Sequence, residues 1–255
     1  MKKSLTFLLC LFLLAGSRLA FASEEKSVRT SYICRDLDGH VRWTADVEIK
    51  HKRYDIYTMV EKAKGLYSGF KGRISWIAEM EFESAKDAIR PIRLEKRVFD
   101  DRGNMVRHEK QEFDLKNNTG ICTHEDPTRN ISRTKKFKFD KNVVTRLSLG
   151  LYAQKFLESR KTSEKLQMVT EEPNVYDVEL RVEGKEMIEV SGRKRAAYRL
   201  CIDPQLGVLD FVKNFLPKAY AWHSTGPKFE WLRYAGLEGG INTMKVEVTV
   251  IDNRP

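Results

Sequence analysis

The chain has 255 residues, with 46 Lys and Arg against 36 Asp and Glu for a net charge of +10, and 41% of its side chains are hydrophobic. That length builds a core without relying on disulfides, in one large β domain or two small ones. Beyond the N-terminus no stretch is apolar for long enough to span a bilayer as a helix.

Lys2 and Lys3 precede an uncharged apolar run over 5–16, and Ala20-Phe21-Ala22 supplies the small-x-small pattern of a signal-peptidase site. Residues 1–22 are therefore expected to be a signal peptide cleaved after Ala22, which leaves 23–255 as a single β-rich periplasmic domain. The alternative, an uncleaved anchor, fits less well with so complete a cleavage site. Cys10 sits inside the apolar run and not at the cleavage point, so no lipid anchor is expected. Losing Lys2, Lys3 and Arg18 takes the charge from +10 to +7. Both signs are interspersed, as on an ordinary solvated surface. Peripheral contact with anionic lipid or another polyanion is the functional alternative. Export argues against nucleic acid, for which no motif is present.

Period-2 alternation dominates the remainder of the chain. Trp43, Ala45, Val47 and Ile49 alternate with polar residues, as do Ile74 through Phe82, Val178 through Val182, and Val246 through Val250. Further strands are expected near 29–35, 54–62, 91–99, 105–115, 131–139, 187–191, 195–202 and 228–234. Turns are expected at Asp36-Leu37-Asp38-Gly39, Asp101-Arg102-Gly103-Asn104, Asn117-Asn118-Thr119-Gly120, Glu183-Gly184-Lys185 and Ser191-Gly192-Arg193, each with a glycine to take the left-handed position. Short turns between consecutive strands give an antiparallel meander. The fold class expected is mainly β: a curved antiparallel sheet, open or partly closed like a barrel, with one helix near 140–160. Asp140 would cap that helix, with Val143, Val144, Leu147, Leu151 and Phe156 on its apolar face. Residues 158–165 then read as an exposed connector, 160–173 as the best seam between halves, and 207–221 as a short helix or a packed loop.

Chemistry is sparse. No nucleophile elbow, zinc-protease helix or phosphate loop is present. His40, His51, His108, His124 and His223 are scattered, so no catalytic residue, cofactor or metal site is assigned and the chain reads as a non-enzyme. Cys122-Thr123-His124-Glu125-Asp126 is the only metal-like cluster and reads as an ordinary polar loop. Cys34, Cys122 and Cys201 remain after export; an oxidising compartment favours one bridge among three possible pairings, leaving an odd thiol. Aromatic residues crowd the C-terminal third, where Trp222, Phe229, Trp231 and Tyr234 are the candidate lining of an apolar ligand site. The commoner use of such residues is to close the core where strands meet a helix.

Five segments carry a resemblance: 89–95 with the Asp101-Arg102-Gly103 turn, Gln111-Glu112-Phe113-Asp114, the helix at 140–157, 186–192 leading to Ala197-Tyr198-Arg199-Leu200, and 229–234. Across most of 45–250 the chain resembles a family of uncharacterised exported proteins of Gram-negative bacteria, periplasmic and built on a curved antiparallel sheet of unknown function. A looser, architectural similarity is to the periplasmic lipoprotein-carrier fold, where a bent sheet holds acyl chains under a helix. The resemblance implies an envelope protein without established catalysis, and it assigns no functional residue. The chain thus admits three readings: a non-enzymatic periplasmic protein binding a hydrophobic or lipidic ligand or an envelope protein; an envelope hydrolase or sugar-modifying enzyme; or a structural subunit of an envelope assembly. Oligomeric state is not legible.

Overall fold

The computed structural model describes residues 27–140, 142–170, 174–205, 218–239 and 243–251. The signal peptide expected over 1–22 lies outside them, as does most of 207–221. Strands β1 (Val28–Asp36), β2 (Val41–Arg53), β3 (Ile56–Leu66), β4 (Arg73–Ser84), β5 (Ile89–Phe99), β6 (Met105–Asp114), β7 (Thr119–Asp126) and β8 (Ile131–Lys138) form an antiparallel meander. After β9 (Val143–Thr145) comes helix α1 (Leu149–Glu158). The chain then continues through β10 (Ser163–Val169), β11 (Val175–Val190), β12 (Arg193–Gln205), β13 (Ala219–Ser224), β14 (Trp231–Leu237) and β15 (Lys245–Ile251).

All fifteen strands of the described residues belong to one curved sheet, in the order 8-7-6-5-4-3-2-1-15-14-13-12-11-10-9. The first and last strands are neighbours, with Ser31 opposite Ile251 and Asp36 opposite Val246, so one antiparallel ladder joins the two halves at the middle of the sheet. Only β9 and β10 run parallel. The sheet does not close into a barrel: its ends, β8 and β9, pack through side chains instead of a ladder. Phe113, Cys122, Phe137 and Phe139 of the β6–β8 end form one buried cluster with Val143 and Val169 from the other. Gln111 Nε2 donates to the Thr170 carbonyl at 2.8 Å across the same junction.

Helix α1 fills the concave side. Tyr152, Ala153, Phe156 and Leu157 face inward and share a core with Val47, Met80, Phe82, Leu166, Leu180 and Leu200 from both halves of the sheet. Burial of each large side chain there contributes about 1.5–3 kcal/mol.

The expected helix over 140–160 is corrected to its second half. Val143, Val144 and Thr145 are β-branched, stiff at χ1 and suited to a strand, and they pair with 167–169 of β10. Ser148 stands at the N-cap without a side-chain cap bond; its Oγ accepts from the Thr145 N–H at 2.9 Å, closing a turn that starts the helix late. The connector expected over 158–165 ends early, because Ser163 opens β10 opposite Arg181. No turn forms at Glu183-Gly184-Lys185: β11 runs through it as a single strand, with a bulge between Val182 and Gly184. In the third turn Asn118, at φ 53°, takes the left-handed position. Gly120 is instead a strand residue with the Phe137 ring lying over it. The described part of 207–221 includes the start of β13, a strand and not a helix.

Candidate functional site

The four aromatics singled out from sequence do not form one lining. Trp231 and Tyr234 point to the concave side: the Trp231 indole meets Tyr32 edge-on at 4.9 Å and lies against Gly150 of α1. Tyr234 packs on the same core and donates its hydroxyl to the Leu237 carbonyl at 3.0 Å. Phe229 packs there too, 5.9 Å from the Tyr198 ring. Trp222 belongs to a separate cluster with Ile188, Val190, Ala197 and Leu232. Its Nε1 donates to Glu186 at 2.5 Å and Arg233 stacks over its ring at 4.9 Å. Ordinary alternation separates Trp222, opposite Arg233, from Tyr234, opposite Ala221, and the extra residue at the register shift between Trp222 and His223 moves Trp231 to the Tyr234 side as well.

The densest polar constellation has no signature in the sequence. Glu238, just past β14, is fully buried and receives five hydrogen bonds. Arg42 approaches both carboxylate oxygens through Nε and an Nη at 3.0 and 3.1 Å. The Trp43 Nε1 donates at 2.9 Å, the Ser68 N–H at 2.7 Å and the Ser68 hydroxyl at 2.5 Å. Burial by itself would raise this carboxyl, but the bonds from Arg42 and Ser68 outweigh it and hold it below the usual carboxylate range. Tyr67 donates to the Glu238 carbonyl and accepts a bond from Arg146, whose guanidinium also stacks on the Tyr67 ring. The cluster ties β2, the β3–β4 loop and the β14–β15 loop together at one end of the concavity. Every donor faces a carboxylate already saturated with bonds, so its chemistry is that of a lock and not of an acid or base.

The histidines divide. His108 sits between Glu125 at 3.0 Å and Glu95 at 3.1 Å. It alternates along β6 with buried Glu109 and therefore lies on the outer strand face, where the two best hollows of the described residues do not reach. His124 is a strand residue 3.4 Å from Glu109, which replaces the polar loop expected around Cys122. Asp36, Asp38 and His40 bring ligand atoms within 4.8 Å of one another. Asp36 is already committed, since Oδ1 accepts the N–H groups of Asp38 and His40 and so builds the turn itself.

His223 is fully buried, and burial pulls its imidazole down to about 4 despite the hydrogen bond to the Phe229 carbonyl at 2.8 Å. A neutral imidazole in the fold binds fewer protons than the unfolded chain between pH 4 and 6.5, so stability rises with pH across that window. Urea midpoints are expected to fall steadily from pH 6.5 to 4, by an amount equivalent to roughly 3 kcal/mol in all. A His223→Gln variant should lose most of that slope.

The bridge expected among the cysteines is absent. Cys34, Cys122 and Cys201 are free thiols, each buried, on β1, β7 and β12. Burial pushes Cys34 up to about 12 and Cys122 up to about 11, and raises Cys201 as well. Iodoacetamide at about pH 8 should therefore label none of the three in the folded protein and all three in urea, read by intact mass. A mass two units below the reduced value would show a bridge instead.

Two hollows are the best defined among the described residues, and both are open. One, of about 310 Å³, lies between Lys218 and Lys245 over Tyr220, Ala235, Gly236 and Val246. The other, of about 400 Å³, is lined by the β13–β14 turn with Arg195. Both are at the small end of ligand pockets, and the first borders the buried cluster of Trp43 and Trp76 at Val246.

Residues 33–213 match the profile of a family described as "Protein of unknown function (DUF3108)". No curated protein matches. Among solved structures, the crystal structure of a β-barrel-like protein of domain of unknown function DUF1849 from Brucella abortus aligns with 88% of this chain and 94% of its own. Its TM-score is 0.53 and its identity 9%. The hypothetical lipoprotein YmcC from Escherichia coli aligns over 89% and 85%, with a TM-score of 0.32 and 9% identity. The first of these supports the β-barrel-like architecture and nothing beyond the fold.

Proposed function

We propose that this chain, which belongs to the DUF3108 family, is an exported, non-enzymatic envelope protein that binds through the outside of its sheet and not in a chamber within it. The observation that carries this reading is the filled concavity. Where a carrier would hold an acyl chain, Tyr152 and Phe156 of α1 are 1% exposed against strands of both halves. The Glu238 cluster closes one end of the same space. Among the described residues, close packing of this kind around α1 supports a concavity without room for a chain of methylenes. The signal-peptide pattern of 1–22 supports the address, the periplasm.

Protein purified from its own periplasm, examined by native mass spectrometry and organic extraction, should carry no apolar molecule. Crosslinking in intact envelopes should yield a stoichiometric protein partner. A co-purified lipid released in step with α1 unfolding would overturn the proposal and restore the carrier reading. A chain that crosslinks to nothing would overturn it too.

A further inference from the structure

The terminal strand β8 combines a dense run of cations with a free edge. On other strands several outward cations are matched across the ladder: Lys52 with Glu81 at 2.9 Å, Arg97 with Glu79 at 2.9 Å, Arg199 with Glu183 at 3.1 Å. Strand β8 reads Ile-Ser-Arg-Thr-Lys-Lys-Phe-Lys, four cations in eight residues with no acid. Of these, Arg133, Lys136 and Lys138 are exposed and make no ion pair among the described residues.

The strand also has an unused edge. The Phe139 N–H bonds the Asn118 carbonyl at 3.0 Å, which marks that opposed pair as hydrogen-bonded. Antiparallel pairs alternate, so Phe137, Lys135, Arg133 and Ile131 turn their backbone groups to β7. Ser132, Thr134, Lys136 and Lys138 then point their N–H and C=O groups away from the sheet, where no strand of the described residues follows. Lysines on an edge commonly serve to block self-association. They do so here as well: a second copy pairing antiparallel through β8 would set cation against cation.

We propose that the β8 edge receives an extended acidic segment of a partner protein as an added strand. Backbone bonds to Thr134 and Lys136 would set its register, and carboxylates on alternate faces would meet Arg133 and Lys135 on one side and Lys136 and Lys138 on the other. This rests on the reading that the protein binds through the outside of its sheet.

The probe is a labelled eight-residue peptide of repeating Glu-Glu-Thr-Thr, which sets two carboxylates on each face of a strand, titrated against the full mature chain by anisotropy. Binding is expected, weakening more than about tenfold in the Lys136→Glu, Lys138→Glu double variant and on raising the salt. Hydrogen exchange should slow at the Thr134 and Lys136 amides. A peptide with the same four glutamates but two threonines replaced by proline loses strand donors and should bind at least about tenfold more weakly. Equal binding of the proline peptide, or unchanged exchange at Thr134 and Lys136, would overturn strand addition. Tighter binding to phosphatidylglycerol vesicles than to the peptide would overturn it in favour of a lipid surface. None of these failures touches the crosslinking result, which reads any partner on any face.

Discussion

Replacing Glu238 by alanine is expected to destabilise the fold by about 3–5 kcal/mol, the range for breaking one side of a buried ion pair. Arg42, only 12% exposed, would keep its charge with nothing opposite it. Trp43 Nε1 and the Ser68 N–H would lose their acceptor in the same step, each at a cost of about 1–3 kcal/mol if left unmet. Glutamine is not a gentle substitute here. All five groups around the carboxylate are donors, so an amide NH₂ would face donors and be repelled. Glu238→Gln should therefore cost nearly as much as Glu238→Ala. Removing both charges, as Arg42→Met with Glu238→Met, should cost less than Glu238→Ala alone. Urea unfolding with an unchanged m-value checks the series, and a Glu238→Ala cost under about 1 kcal/mol would show that the pair contributes little. The sign with pH follows from the lowered carboxyl: its contribution is complete above the ordinary value of 4.5 and disappears as pH falls below it. Wild-type protein should thus lose stability in two acid steps, His223 first and Glu238 below it.

The second large effect is expected at Gly65. A Cβ there would stand 2.1 Å from the Arg42 carbonyl oxygen and 2.5 Å from the Trp43 Cα, both backbone atoms that no rotamer change can clear. Gly65 pairs with Trp43 in the β2–β3 ladder and has φ 147°. Gly65→Ala must force the two strands apart, and a cost above roughly 3 kcal/mol is expected. Gly39 provides the contrast. It has φ 86° in the β1–β2 turn with nothing within 4 Å of its Cβ position, so Gly39→Ala should cost only the left-handed backbone, about 1–2 kcal/mol. Because Arg42 and Trp43 are also the donors to Glu238, the Gly65→Ala and Glu238→Ala effects should fall short of their sum. Additivity within about 0.5 kcal/mol would show that the ladder and the Glu238 cluster are uncoupled.

Much of this fold was legible because a strand's facing pattern is local. Trp43, Ala45 and Val47 declare one buried face within five residues, and β2 and β4 form where their alternation places them. Asp36 and Gly39 likewise carry their own turn. Local rules gave way where distant pairing decided the outcome. Val143 and Val144 fit a helical face by spacing, and they became a strand because β10 lay ready to pair with them. The aromatics at 222 and 231 read as one cluster, and a bulge assigned them to opposite faces.

By itself, then, the sequence determined the antiparallel β class, the strand faces and most of the turns, since periodicity and turn chemistry act over a few residues. Only the tertiary structure decided that β1 pairs with β15, that α1 fills the concavity, and that Glu238 meets Arg42 across 196 residues. It also decided that the cysteines stay apart on β1, β7 and β12. Those contacts arise from closing long loops around a shared core, and no spacing within a strand encodes which partner will stand on the other side.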